Sequence, residues 1–414
     1  MMSNKNPDKR AISAGHDQAA RILLRPTVWR YRALISIAEI CLRPVARFFS
    51  PSRANSPCQV GKILVFDPGG LGDIMLLLPF LQNLRACFPG SRVTLLGNTG
   101  AGAFLPECEA VDESIELRVP WRDASRWKRL NPISLCWLRF LRGAFRLRKE
   151  KFDLAFAAGW GGDFRGNLVI WLAGAARRIG YGYGGGGFLL TDIAQPDLAH
   201  PHVADRNLHL LDEIGFPGVR GTEAFRATPD EDQFAADLLA QAGVTGEDLV
   251  IGVHPGARSA VREWGDERFA EVARGAAERF GAKIFWFTDP ARPRPLPEGL
   301  DAIPLALTFP QFRAVVPRCQ LFLCNDSGPM HLATALNVPV VAVFGPQRPE
   351  WFGPYGQGHR VVLRQDIWCR PCADHCLFEQ PYCLRLISVG EVTQAVSDVL
   401  TGLGQIQRYV EARG

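Results

Sequence analysis

Asp73 closes the run Gly69, Gly70, Leu71, Gly72, Asp73, which follows the short apolar stretch 62–66 directly. Glycines at such a junction let the backbone turn sharply and come close to a ligand. A carboxylate opening the next helix is kept ionised by the helix's positive end, the state that a general base needs. An ordinary strand-to-helix turn with a capping aspartate has the same residues. The run is neither a Walker A loop nor a clean G-x-G-x-x-G.

Two further junctions carry groups suited to an anionic ligand. In 324–337, Asp326, Ser327 and Gly328 stand between a strand end and a helix start, with Pro329 fitted to the first turn. N–H groups there cradle phosphate or a sugar hydroxyl, and His331 follows within one turn. Asp326 as a cap and His331 as a packed core residue are the plainer alternatives. In 254–269, Gly256 and Ala257 precede Arg258 and Arg262, cations able to neutralise a pyrophosphate or simply to be solvated. A fourth set, Cys369, Cys372, Cys376 and Cys383, is dense enough for a structural zinc or iron ion, although its x3 and x6 gaps fit no common zinc ribbon. Unpaired thiols are the alternative.

The elements that must position these groups alternate. Strands are expected at 62–66, 92–97, 152–158 and 177–181, with a helical stretch at 165–175. A second series begins at 248–256 and continues with a helix at 266–280 and strands at 283–288 and 320–325. A helix at 329–337, a strand at 338–345 and a closing helix at 389–403 complete it. Such alternation predicts parallel sheets covered on both faces, in two α/β units divided near 216–230. Ligands in open α/β sheets sit beyond the carboxyl ends of strands, so a cleft between the units is the expected site.

Composition bounds the rest. Hydrophobic residues make up 47% of the 414 and charged residues 21%, enough to build cores and too ordered in pattern for a disordered chain. No apolar run reaches the ~18–20 residues of a spanning helix, and residues 1–20 lack the apolar core of a secretion signal. A cytoplasmic protein is expected. The net charge of +5 hides two basic blocks, residues 1–53 at +7 and 122–151 at +8, on an acidic remainder. The first predicts a helix from about Thr27 to Arg43, ending before Pro44, with Arg32, Ser36, Glu39 and Arg43 as a polar stripe. The second sets Arg139, Arg142, Arg146 and Lys149 against Trp137, Leu138, Leu141 and Phe145. Both patterns suit an anionic membrane surface. Neither fits a nucleic-acid-binding motif.

The junctions, in this order, resemble glycosyltransferase family 9, the bacterial heptosyltransferases, from about Lys62 to Leu403. The landmarks are GGLGDIMLLLPFLQNLRACFP, FRGNLVIWLAGAARRIGY, HVADRNLHLLDEIG, IGVHPGARSAVREWGDERFAEVA, CNDSGPMHLATALNVPVVAVFGP and CRPCADHC. The resemblance implies the GT-B architecture, two Rossmann-like domains with parallel sheets facing a central cleft. Residues 1–57 lie outside the match and read as a basic extension and linker. The two units then become an acceptor-side domain over 58–220 and a donor domain over 221–414 with the Cys-rich segment 369–383.

It also implies an inverting, metal-independent transfer of a sugar, typically heptose from an ADP-sugar, to a lipopolysaccharide-core or related acceptor. Asp73 takes the place of the family's general base, with Gly69, Gly70 and Gly72 forming the acceptor-side turn. Gly256, Ala257, Arg262, Asp326, Ser327, Gly328 and His331 take the donor-binding places. Only Asp289 is available for the acidic residue that contacts the donor ribose in the family. The membrane-facing blocks suit an enzyme on the inner face of the inner membrane acting on a lipid-linked saccharide. A non-catalytic nucleotide-sugar-binding protein and a nucleotide-sugar epimerase of the same fold are the rivals.

Overall fold

The computed structural model describes residues 32–49, 60–97, 109–120, 135–159, 163–218 and 227–411. The expected helix start at Thr27, the linker 50–57 and the first part of the second basic block lie outside these residues. The chain divides into two compact units, 1–222 and 223–414.

In the first unit the strands are β1 (Lys62–Asp67), β2 (Arg92–Gly97), β3 (Glu113–Glu116), β4 (Leu154–Ala157), β5 (Arg177–Tyr181) and β6 (Asp192–Ala194). They form one parallel sheet in the order β3-β2-β1-β4-β5-β6. Its helices are α1 (Arg32–Phe49), α2 (Leu71–Cys87), α3 (Leu135–Arg146), α4 (Phe164–Leu172) and α5 (Val203–Asp212). The second unit repeats the plan with β7 (Val250–His254), β8 (Lys283–Thr288), β9 (Ile303–Ala306), β10 (Leu321–Asn325), β11 (Val340–Phe344) and β12 (Arg360–Leu363), ordered β12-β11-β10-β7-β8-β9. Its helices include α6 (Pro229–Gln241), α7 (Asp266–Phe280), α8 (Phe309–Val315), α9 (Gly328–Ala335) and α10 (Val389–Glu411).

Counted from its own first strand, each sheet has the order 3-2-1-4-5-6 of a Rossmann fold. The order reverses between β1 and β4 in one unit and between β7 and β10 in the other. Crossovers leave to opposite faces at that point and open a crevice beyond the strand ends. The Gly69–Asp73 turn follows β1. The turns carrying Arg262 and Asp326 follow β7 and β10. Topology therefore places the candidate residues where α/β sheets bind ligands.

The central strands are continuous apolar runs because both of their faces are covered. In the second unit Ile251, Val253, Leu321, Leu323, Val341 and Val343 pack with Phe269, Val272 and Ala276 of α7 and Val392, Val396 and Val399 of α10. Each of the Val, Leu, Ile and Phe side chains contributes about 1.5–3 kcal/mol relative to exposure. Helix α7 is amphipathic at helical spacing, and Gly281 ends it at φ +68°.

Three local expectations change. Helix α1 runs through Pro44 to Phe49 instead of stopping before it. Its Glu39 turns inward, and Oε1 accepts the Gly186 N–H at 2.6 Å. Ile37 and Ile40 are exposed large apolar residues of this helix, at 59% and 72%. Helix α2 starts at Leu71, so Asp73 lies within its first turn, and the helix continues past Pro79 to Cys87. In α3, Leu138 and Phe145 face outward with the arginines, while Phe140 and Ala144 face the core.

Candidate donor and acceptor sites

In the first unit, the turn after β1 is built by two carboxylates around Gly69. Buried Asp67 accepts the Gly69 N–H through Oδ1 at 2.6 Å, and Asp73 accepts the Gly70 N–H through Oδ2 at 2.7 Å. The second bond is the reaching-back half of a capping box: Asp73, at the third helical position, serves a donor the helix leaves unpaired. A Cβ on Gly69 would stand 2.2 Å from Asp73 Cβ and 2.6 Å from Asp67 Oδ1. Only glycine fits. Gly159, after β4, is equally constrained: it has φ +80° and faces Asp67, while Asn207 Oδ1 accepts its N–H at 2.9 Å. Gly72 is the second residue of α2.

Beyond these residues lies a buried polar group that sequence reasoning did not single out. The Tyr181 hydroxyl donates to the Arg206 carbonyl at 2.8 Å, and Arg206 Nη1 donates to the Tyr183 hydroxyl at 3.1 Å. Burial raises both tyrosines above the usual phenol range, so they stay protonated. The HVADRN stretch carries Arg206 and Asn207. Its only sequence signal is two polar side chains at positions of α5 that should be apolar.

In the second unit, β7 and β10 are neighbours, with Cys324 opposite His254, so the turns after them meet. Asn325, fully buried at the end of β10, joins them. Its Nδ2 donates to the Pro255 carbonyl at 2.6 Å, and its Oδ1 accepts the Trp264 N–H at 3.1 Å. Trp264 anchors the far side of that turn, its Nε1 donating to the Ile387 carbonyl at 3.1 Å. Gly256 accepts from His254 Nδ1 at 3.1 Å, and the Ala257 N–H donates to Glu263 Oε1 at 3.1 Å. Burial lowers the His254 pKa to about 4, against the hydrogen bond to Gly256, so the imidazole is neutral.

Arg262 leaves this turn with Nη1 3.3 Å from Asp326 Oδ2. Asp326, Ser327 and Gly328 follow β10, and the Ser327 hydroxyl donates to the Asn325 carbonyl at 3.3 Å rather than capping α9. The structure thus gathers Gly256, Ala257, Arg262, Asp326, Ser327 and Gly328 at one strand-end crevice, with His331 in the first turn of α9. Asp289 lies at the end of β8, where it caps its own turn by accepting the Ala291 N–H at 2.9 Å. Arg258 is exposed.

Cys369, Cys372 and Cys376 are half-buried and Cys383 is buried, all as thiols. Burial raises Cys372 and pushes Cys383 up to about 11, against the nearby Arg370 charge. Among the described residues, no group of three or more His, Cys, Asp or Glu side chains is arranged to hold a metal ion. Nor is any helix among the described residues long and apolar enough to cross a membrane.

Comparison with known proteins places these observations. The family model described as glycosyltransferase family 9 (heptosyltransferase) matches residues 140–382. Lipopolysaccharide heptosyltransferase 2 of Escherichia coli K12 is 24% identical over 325 residues, which cover 73% of this chain and 87% of that protein. Among solved structures, the glycosyltransferase family 9 protein of Veillonella parvula superposes with a TM-score of 0.66 at 24% identity, covering 85% of this chain and all of the other. The E. coli ADP-heptose lipopolysaccharide heptosyltransferase II gives 0.60 at 21% identity, covering 83% and 99%. The fold is that of these structures, the GT-B class of paired Rossmann-like units.

Proposed function

The chain belongs to glycosyltransferase family 9, and from that premise we propose that this glycosyltransferase moves heptose from ADP-heptose to a lipopolysaccharide-core saccharide, with inversion and without a catalytic metal. In this reading the first unit supplies the base and the second the donor grip. Asp73 takes the proton of an acceptor hydroxyl as that oxygen attacks the anomeric carbon. The bond from that carbon to the diphosphate oxygen breaks, and ADP leaves with the electron pair. The Gly70 N–H fixes the Asp73 carboxylate in the turn.

Leaving-group charge falls to the second unit. Arg262 and the start of α9, at Ser327 and Gly328, offer cationic and N–H groups where it would develop. The observation that carries the proposal is the crevice assembled by Asn325, which brings a cation and a helix N-terminus together at the switch point of the second sheet. Gly256 and Ala257 give a small-residue approach for the diphosphate, and His331 a further polar contact.

The outward face of α3 supports a peripheral place on an anionic membrane. Arg139, Arg142 and Arg146 share that face with Leu138 and Phe145, which are 49% and 55% exposed, and Lys149 is exposed in the 3-10 turn that follows. Cations meeting lipid phosphate and apolar side chains entering the headgroup zone are the two components of interfacial binding. A lipid-linked acceptor at the cytoplasmic leaflet would then be reached without diffusion through solution. For the cysteine set, a structural zinc or iron ion is a separate proposal resting on the density of four thiols over 369–383, tested by the metal content of the purified chain.

The experiment that tests the function follows ADP release from ADP-heptose with heptose-deficient lipopolysaccharide present or absent. Acceptor-dependent release with transfer of the sugar is expected. Conversion of the donor with no acceptor would establish an epimerase instead. Donor binding without turnover against every core acceptor would establish a binding protein.

A further inference from the structure

The inference below rests on the reading of Arg262 as a donor contact. Its guanidinium is held from a distant part of the chain. Nε and Nη2 donate to the two carboxylate oxygens of Asp374 at 2.7 and 2.6 Å, a bidentate pair across 112 residues of sequence. Asp374 belongs to the cysteine-rich segment, which is itself stitched to the turn after β11. The Cys372 and Ala373 N–H groups donate to the Pro346 carbonyl at 3.1 and 3.2 Å, and Arg370 Nη2 donates to the Gln347 carbonyl at 3.0 Å. Buried Gln347 returns the connection, its Nε2 donating to Asp374 Oδ1 at 3.2 Å.

We propose that Asp374 is a positioning residue for the donor-binding arginine, and that the cysteine-rich segment is thereby a working part of the donor site. A guanidinium presents its donors in one rigid plane. A carboxylate gripping the Nε–Nη2 edge fixes that plane and turns Nη1 toward Asp326 and the start of α9, where the diphosphate charge must be met. With the grip lost, the cation is still present but no longer aimed. Turnover therefore suffers more than donor capture, because misplacement costs most in the transition state.

Asp374→Asn isolates this effect. Asp374 has φ +71°, a conformation that asparagine tolerates as well as aspartate, so the backbone is kept while the charge and one acceptor are removed. The expected result is a kcat lower by about tenfold or more, with a smaller rise in donor KM. Gln347→Met, which loosens Asp374 without touching the ion pair, should move kcat in the same direction by less. In an Arg262→Lys background, which has no fork to orient, Asp374→Asn should change kcat less than about twofold, a non-additivity that mere weakening of the fold would not produce. Unchanged kcat in Asp374→Asn, tighter donor binding, or additive effects in the double variant would overturn this inference while leaving the donor site standing. Unchanged turnover in Arg262→Lys and Arg262→Ala would overturn the donor reading of Arg262, and the inference with it.

Discussion

Asn325 donates its side-chain amide to the Pro255 carbonyl at 2.6 Å, joining the carboxyl ends of two adjacent strands through a buried side chain. The same side chain accepts the Trp264 N–H. One residue thus sets the spacing of both turns that form the crevice proposed to bind the donor.

Asn325→Ala leaves the Pro255 carbonyl and the Trp264 N–H without this partner. Each buried group so stranded costs about 1–3 kcal/mol. The second unit should melt roughly 5–10 °C lower, followed by calorimetry. Donor affinity should fall in parallel. A variant with wild-type melting and wild-type donor binding would show that the two turns are held by other means.

Gly69→Ala forces a methyl group against Asp73 and Asp67, neither of which can retreat without moving α2 or β1. Turnover should drop by about 100-fold, the cost of displacing a reacting group by roughly an ångström. Donor affinity, measured by titration calorimetry, should be unchanged because the donor contacts lie in the other unit. Loss of donor binding would contradict this division of labour.

His254 gives the chain an acid-sensitive element. Burial lowers its pKa to about 4, whereas an exposed histidine titrates near 6.5. Below pH 6.5 the unfolded chain takes up a proton that the folded chain refuses. This contribution to stability is therefore complete above pH 6.5 and is lost as the pH falls toward 4, about 3 kcal/mol in all. Denaturant unfolding at pH 7 and pH 4.5 should show a smaller acid loss in His254→Asn than in the wild type. Equal losses would mean that His254 is not buried neutral.

The charge of α3 can be reversed without touching either crevice. Arg139→Glu with Arg142→Glu should weaken sedimentation with anionic phosphatidylglycerol vesicles by at least about 30-fold, at roughly 1 kcal/mol per cation removed. Turnover on a soluble, delipidated acceptor should be unchanged. Wild-type binding that is insensitive to salt, or equal binding by the variant, would remove α3 from the membrane surface.

The interior strands could be read from sequence because strands covered on both faces are unbroken apolar runs: 62–66, 92–97 and 283–288 coincide with β1, β2 and β8 to within a residue. The edge strands β3, β6, β9 and β12 were not legible. Each is three or four residues long with one neighbour instead of two; β3, β6 and β12 carry charged residues such as Glu113, Glu116, Asp192 and Arg360, and β9 carries Pro304. The helix through Pro44 was misread because a proline costs helix stability locally, while packing of Ile35, Leu42 and Ala46 on the first unit acts along the whole segment. At the crevice, the glycines and the aspartates after strands have a local signature. Asn325 and Asp374 have none, since their importance comes from partners about 60–110 residues away.

The central claim concerns Asp73, and Asp73→Asn tests it most directly. Asparagine can still accept the Gly70 N–H, so the turn survives, but it cannot take a proton. Acceptor-dependent ADP release should fall by about 10²- to 10⁴-fold while donor affinity holds. Turnover within a fewfold of wild type would contradict the assignment of Asp73 as the base.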